Sequence, residues 1–383
     1  MYKWIIIGGG IHGCTIATFL LKSGKVKKDD LLIIDPYPVP LYKWKTITSK
    51  IGMDYLRSPS VHHLDPAPFS LQKYAKDNKV TAPFIGRFKR PSLPLFNAHC
   101  EALFAETDLY SCWFRAKVEN LAPGKKKWMV HTTNGRLEAK RVVLAIGMNT
   151  QPSYPEWAEE LAKSNPHRIH HIFNDDLQSI KEMPPSFGIV GGGISSIHTA
   201  VHLCNVHNEK VKLIKRHPFR VHDFDSDPGW LGPKYLTSFR KENDLNIRRK
   251  MITQARHRGS MPRNLFMKAK RLYGRGQLEV ITDEISGVRA AGSYIDIRLK
   301  ENQSQKVSSV ILTTGAASRH PIHDWLTHMP NCTSCGFPII NKNLEWENGL
   351  HVSGPLAELE IGPVSRNIAG ARKSAEIITA LAN

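Results

Sequence analysis

The 383-residue chain predicts an α/β fold built on two parallel sheets, with the second unit inserted into the sequence of the first. Three observations predict it. An apolar run, Ile5-Ile6-Ile7, meets the turn Gly8-Gly9-Gly10-Ile11-His12-Gly13 and a helix-compatible stretch from Cys14 to Lys22. The same order of strand, glycine turn and helix recurs from Phe187 through Gly191-Gly192-Gly193. Two more apolar runs, Val142 to Ile146 and Val310 to Leu312, each lead to a glycine, Gly147 and Gly315. Strands buried on both faces of a parallel sheet read as such unbroken runs.

The first turn has the spacing G-x-G-x-x-G. Gly8 permits the tight turn, Gly10 lets backbone approach a pyrophosphate, and Gly13 lets helix and strand pack closely, so the helix N-terminus faces the anion. After the helix, the run Leu31 to Ile34 ends in Asp35, where such units place the acid that holds a ribose hydroxyl. With strand, turn, helix and acid in order, the ligand is a dinucleotide. In the second turn Gly191 and Gly193 keep the spacing, and Ser196 stands at the third glycine, where a small side chain still packs. The strand after it ends in Lys215-Arg216 instead of an acid. Cations there suit a ribose 2′-phosphate and favour NADP over NAD, with plain surface charge as the competing reading.

Composition limits the partners. There are 53 Lys and Arg against 34 Asp and Glu, a formal charge of +19, which favours anionic ligands. The surplus is spread along the chain with no basic tail, so a specific nucleic-acid module is not indicated. No segment reaches the length of apolar sequence that a transmembrane helix needs, and the N-terminal run is a strand, so a cytoplasmic location is expected. Cys14, Cys100, Cys112 and Cys204 read as reduced, buried small residues. Cys332-Thr333-Ser334-Cys335 has redox spacing but lies in a loop-like stretch near the C-terminus, without the further ligands that zinc requires, so no metal site is expected.

From Asp35 onward, Pro36 to Trp44 reads as a proline-broken loop lying over a cofactor, and Met53 to Leu71 as a further irregular segment. Arg90 to Phe96 leads into a helix through Ala105. Trp113 to Glu138 reads as a β-meander with a hairpin at Asn134-Gly135. The simplest topology assigns residues 1–164 and 318–383 to one unit and 165–317 to the inserted one. His170-His171 falls just before the second turn.

Two glycine fingerprints, two closing strands, and the end Gly349 to Gly354 followed by Leu359-Glu360-Ile361-Gly362-Pro363 resemble two-dinucleotide flavoproteins. More narrowly, Trp44, Met53 to Ser58, Asp65-Pro66 and Gly362 to Arg372 are similar to the NADPH- and FAD-dependent monooxygenases that N-hydroxylate lysine or ornithine, of which this chain looks like a short, divergent member. That resemblance implies an FAD-binding Rossmann-like domain with an inserted NADPH-binding one, each with a parallel sheet and meander. It implies FAD on Gly8, Gly10, Gly13 and Asp35, with Trp44 and Met53 near the flavin and Gly147, Gly354, Ile361 and Gly362 lining its site. Gly191, Gly193, Ser196, Lys215 and Arg216 are expected to hold NADPH. Arg57 stands where the family has a lysine near nicotinamide and substrate, and His171 where flavin monooxygenases carry a linker histidine, with an ordinary structural role open for each. The implied chemistry is hydride transfer from NADPH to FAD, capture of molecular oxygen as a flavin hydroperoxide, and oxygen transfer to the nitrogen or sulfur of a small amine or thioether. Asp225 to Gly232 departs from the family, whose Asn-Glu pair there clamps the amino acid. A reductase of a disulfide, quinone or protein partner is the main alternative, a non-catalytic flavin or nucleotide sensor is a third, and homo-oligomerisation stays open.

Overall fold

Trp4, Ile5, Ile6 and Ile7 are all buried because the strand they form, β1 (Tyr2–Ile7), lies between neighbours in its sheet and is covered on both faces. Ile5 and Ile7 enter one core with Val142, Leu144 and Val352, whereas Trp4 and Ile6 enter another with Ile16, Leu20 and Phe96. This two-residue alternation in side-chain direction sets the layers. The computed structural model describes every residue except 148–150, 176–179, 208, 317–324, 329 and 383.

After β1 come α1 (Ile11–Lys22), β2 (Leu31–Asp35) and α2 (Tyr42–Lys50). The helix α2 corrects the expectation of a loop through Trp44: the prolines end at Pro40, and Leu41, in the left-handed region at φ 58°, turns the chain into the helix. Beyond a short helix at Ser70–Asp77 comes α3 (Leu93–Glu106), capped by Ser92 Oγ accepting from the Leu95 amide at 3.4 Å. The strand β3 (Trp113–Arg115) pairs parallel with β2 instead of joining the meander, which comprises β4 (Val118–Gly124), β5 (Lys127–Thr132) and β6 (Gly135–Leu144). The expected hairpin lies at residues 133–134, with Gly135 at φ +116°.

The chain then crosses to a second sheet through β7 (Ile169–His171), β8 (Phe187–Val190), α4 (Ile194–His207) and β9 (Val211–Lys215). Two helices that the sequence did not suggest follow, α5 (Pro233–Lys241) and α6 (Leu245–Ala255). Then come α7 (Arg263–Gly274), β10 (Leu278–Thr282), a meander of β11 (Ile285–Ala291), β12 (Tyr294–Leu299) and β13 (Gln305–Val307), and the closing strand β14 (Ser309–Leu312). The chain returns to the first sheet with β15 (Glu345–Glu347), β16 (Leu350–Val352) and α8 (Ile368–Ala380), which lies along α1.

Strand order is β15-β16-β6-β1-β2-β3 in the first sheet and β10-β9-β8-β14-β7 in the second. The second sheet is parallel throughout. In each, the strand that feeds the glycine turn lies between the strand after the helix and the closing strand, so the turn opens at the carboxyl edge where such sheets bind ligands. One feature crosses the units: Trp230, Leu236, Phe239 and Ile252, from the inserted stretch, pack in the core of the first unit with Leu356, Ile361 and Val364. Among the described residues no helix is long and apolar enough to cross a membrane.

Candidate active site

The three glycines of the first turn have separate jobs. Gly8 adopts φ +107°, and a Cβ there would lie 2.7 Å from the Ala145 carbonyl oxygen. At Gly13 a Cβ would sit 1.8 Å from the Gly8 carbonyl oxygen, so only glycine lets α1 start this close to β1. A Cβ at Gly10 meets nothing within 4 Å, which leaves open ground in front of the helix N-terminus. This is the cradle a pyrophosphate needs. Asp35 Oδ2 accepts from the Gly9 amide at 2.6 Å and Oδ1 from the Tyr37 amide at 3.0 Å, which ties the turn to β2 and leaves lone pairs on both oxygens for ribose hydroxyls. Burial raises the Asp35 carboxyl pKa above its ordinary value, and the two amide bonds oppose that rise.

Two neighbours of this turn escaped sequence reasoning. The edge of the Trp113 ring comes so close to Gly9 that a Cβ there would be 2.1 Å from it, and its Nε1 donates to the Tyr37 carbonyl at 3.2 Å. It packs behind the glycine turn, and only the parallel pairing of β3 with β2 brings it there. His12, inside the fingerprint, has Nδ1 2.9 Å from Ser353 Oγ, while burial lowers its pKa to about 4 and keeps the ring neutral. It joins the start of α1 to Gly354, whose φ of +69° turns the chain along the same site.

At the second turn Gly191 has φ +139°, and a Cβ would lie 2.4 Å from Thr313 Oγ1. Ser196 is fully buried, with Oγ 2.8 Å from Thr313 Oγ1, which itself donates to the Val190 carbonyl. The Ser196 hydroxyl therefore donates to Thr313 and locks α4 to the closing strand; it acts on the cradle from behind. Gly193 faces the loop at Gly259, 3.5 Å from a Cβ placed on it. Lys215 corrects the expectation of a free phosphate-binding cation. It is buried, its Nζ donates to Thr282 Oγ1 at 2.6 Å and to the His217 carbonyl at 3.0 Å, and burial lowers its pKa. Arg216 is exposed beside it.

Between the units runs a seam built by residues 51–58 and 90. Arg57 donates Nε to the Asp223 carbonyl at 3.1 Å, and Nη2 to the carbonyls of His222 and Phe224 and to Ser260 Oγ at 2.6–2.8 Å. It latches the first unit onto the second. Arg90 Nη2 donates to Asn264 Oδ1 at 2.6 Å, and Lys268 pairs with Asp54 at 2.5 Å. Gly52, at φ +63°, approaches so closely that a Cβ would fall 2.5 Å from the His202 ring. Met53 touches the cores of both units. A narrow cleft lined by Asp54, Arg57, Arg90, Ile194, His198 and Lys268 follows the seam to the start of α4.

The other expected residues are distributed as follows. Trp44 is half-buried on α2, its Nε1 donating to Asn97 Oδ1 at 3.1 Å. Gly147 is exposed at the end of the closing strand, beside residues 148–150 that lie outside the described ones. Ile361 is buried, and Gly362, at φ +90°, faces Leu236 and Trp230. The Gly362 amide is taken inside the chain, donating to the Glu358 carbonyl at 2.9 Å. Of the two roles open to His171, its surroundings support the structural one. It is wholly buried, its Nδ1 accepts from the Phe173 amide at 3.2 Å, and burial lowers its pKa to about 4. Its ring packs against those of Tyr154 and Phe173. The six cysteines are free, and burial raises the Cys332 thiol pKa.

Two glycine cradles at the carboxyl edges of the parallel strands of two sheets define a two-dinucleotide-binding flavoprotein fold. Residues 5–149 match the FAD-NAD(P)-binding family, and residues 104–261 match the pyridine nucleotide-disulphide oxidoreductase family. No curated protein matches. Among solved structures, the ornithine N-hydroxylase of Kutzneria sp. 744 is similar at 12% identity and TM-score 0.78, over 99% of this chain and 98% of that one. The ornithine hydroxylase of Pseudomonas aeruginosa is similar at 15% identity and TM-score 0.78, over 99% and 98%. The bacillithiol disulfide reductase of Staphylococcus aureus is similar at 15% and TM-score 0.66, over 99% and 97%. The fold is thus the one expected, and the chain diverges from these N-hydroxylases in sequence and not in extent.

Proposed function

We propose that this chain is an FAD-dependent, NADPH-consuming monooxygenase that places one oxygen atom on a nucleophilic nitrogen or sulfur of a small substrate. The observation that carries it is the pair of glycine cradles in two units that Arg57 latches together, because oxygen chemistry needs both dinucleotides at one water-poor place. The residues present fit both groups: Gly8, Gly10, Gly13 and Asp35 would hold FAD, and Gly191, Gly193 and Arg216 would hold NADPH. When bound, FAD accepts electrons from NADPH and supplies the activation of molecular oxygen. The chain positions and shields. Arg57 keeps the two units together by filling backbone carbonyls, and Met53 closes the seam with apolar surface. His171 supports the linker from its buried position. Few side chains need to move protons, in keeping with the neutral state that burial imposes on His12, His171 and His198.

The reductase reading has one observation in its favour, the spacing of Cys332 and Cys335, but the raised thiol pKa of Cys332 opposes thiolate formation. Incubation with FAD, NADPH and a panel of amines and thioethers separates the two. Monooxygenation gives oxygen uptake and a product heavier by one oxygen atom. New thiols, or rapid reduction of an acceptor without oxygen uptake, would assign the chain to the reductases.

A further inference from the structure

Where the inserted stretch meets the C-terminal turn of the first unit, two carboxylates are each gripped by two guanidinium groups. Asp225 Oδ2 accepts from Arg256 Nε and lies 3.0 Å from its Nη2, and Asp225 Oδ1 is 3.9 Å from Arg57 Nη1. Glu358, buried, is paired with Arg249 through one oxygen and with Arg366 Nε through the other, the latter at 2.7 Å. Four fixed cations thus face two anions. The nearby Arg248 is separately balanced by Glu360 at 3.2 Å, and Asp223 is taken by Arg87 at 3.6 Å.

The two groups lie side by side, because the turn at residues 363–366 packs against both α6, which ends one residue before Arg256, and residues 228–231, which follow Asp225. Burial lowers the Arg256 pKa, Asp225 opposes this, and the positive charges of Arg366 and Arg258 add to the lowering; Asp225 also acts on Arg366. Arg366 Nη1 and Nη2 and Arg256 Nη1 make no hydrogen bond among the described residues, while their side chains keep 21% and 15% of their surface in contact with solvent. Planar guanidinium donors left open in a site with surplus positive charge are arranged to take an anion. Both carboxylates are already occupied, so the site has no acid to receive an ammonium group. It lies at the Asp225 to Gly232 segment, where the Asn-Glu pair expected to clamp an amino acid is missing, and next to Trp230 and Gly362.

We propose that Arg256 and Arg366 seat a carboxylate or phosphate of the substrate, and that the substrate is a net anion and not a diamine or a zwitterionic amino acid. This rests on the oxygenation reading for the fate of the ligand, but its binding can be measured apart from turnover. Isothermal titration of the protein saturated with FAD and NADP⁺, at constant ionic strength, uses glutarate, inorganic phosphate and cadaverine as probes. Saturable binding of glutarate or phosphate is expected, the tighter of the two identifying the group, with no binding of cadaverine. Arg256→Gln should weaken that binding at least about tenfold. On the unmutated protein, the bound anion should protect Arg256 and Arg366 from phenylglyoxal, mapped by mass spectrometry, which keeps the test decisive if the variant fails to fold. Binding of cadaverine, anion affinity unchanged in Arg256→Gln, or modification of both arginines at the same rate with and without anion overturns the proposal. Anion binding with no oxygen incorporated into any product would sink the oxygenation reading and leave this site standing.

Discussion

Gly10 and Gly13 separate what a glycine turn does for its fold from what it does for a ligand. A methyl at Gly13 would collide with the Gly8 carbonyl, backbone against backbone, so Gly13→Ala should destabilise the apoprotein by at least about 3 kcal/mol in urea unfolding. A methyl at Gly10 enters empty space. Gly10→Ala should therefore leave apoprotein stability within about 1 kcal/mol of the parent, yet weaken FAD binding at least about tenfold because the methyl occupies phosphate ground. Both glycines, and the division of labour between them, were legible in the sequence from the fingerprint spacing; the structure adds how close the backbone at Gly13 comes. The adjacent cations Lys215 and Arg216 divide in the same way. Since Lys215 is already bonded inside the unit, Arg216→Ala is expected to raise the KM for NADPH about tenfold with little change for NADH. Equal loss for both nucleotides would remove Arg216 from the 2′-phosphate.

At the scale of elements, the informative piece is the short strap from Gly52 to Ser58. Its short, irregular sequence gives no periodic signal, and its value comes from carbonyls contributed by residues 222–224 far along the chain. Arg57→Ala would leave three carbonyls without their donor, a loss of about 1–3 kcal/mol, and should increase amide hydrogen exchange in residues 53–58 and 220–225 together. Arg57→Lys should restore little, because an ammonium cannot reproduce the planar fork. Unchanged exchange in both segments would show that the latch carries no weight. The helices α5 and α6 were missed for a related reason: their apolar residues cover the other unit's core, so their pattern made no sense within the inserted one. Trp113 to Arg115 was assigned to the meander because a three-residue strand carries no mark of parallel or antiparallel pairing.

For the whole molecule, burial of neutral histidines sets the response to acid. His63, His99, His171 and His198 are buried, and burial lowers each pKa to about 4 from the ordinary 6.5. Their protonation is easier in the unfolded chain, so the stability they contribute is present above pH 6.5 and is lost as pH falls toward 4. Unfolding free energy should drop by at least about 2 kcal/mol between pH 7 and pH 5, measured by urea denaturation. A flat profile over that range would mean that these rings are hydrated. The thiols give a second global check: Cys332→Ser with Cys335→Ser should leave NADPH consumption unchanged, since the pair has no part in the proposed reaction.

The sequence alone determined the two cradles, the direction of the strands that feed them and the double-unit plan, because glycine spacing and apolar runs are local signals that depend on a few neighbouring residues. Only the tertiary structure decided that Lys215 is occupied, that His171 is sealed, that Arg57 latches the units, and that four arginines meet two carboxylates beside the seam. Those outcomes depend on partners scores to hundreds of residues away, and what a charged side chain does is set by the groups left over once its neighbours have paired.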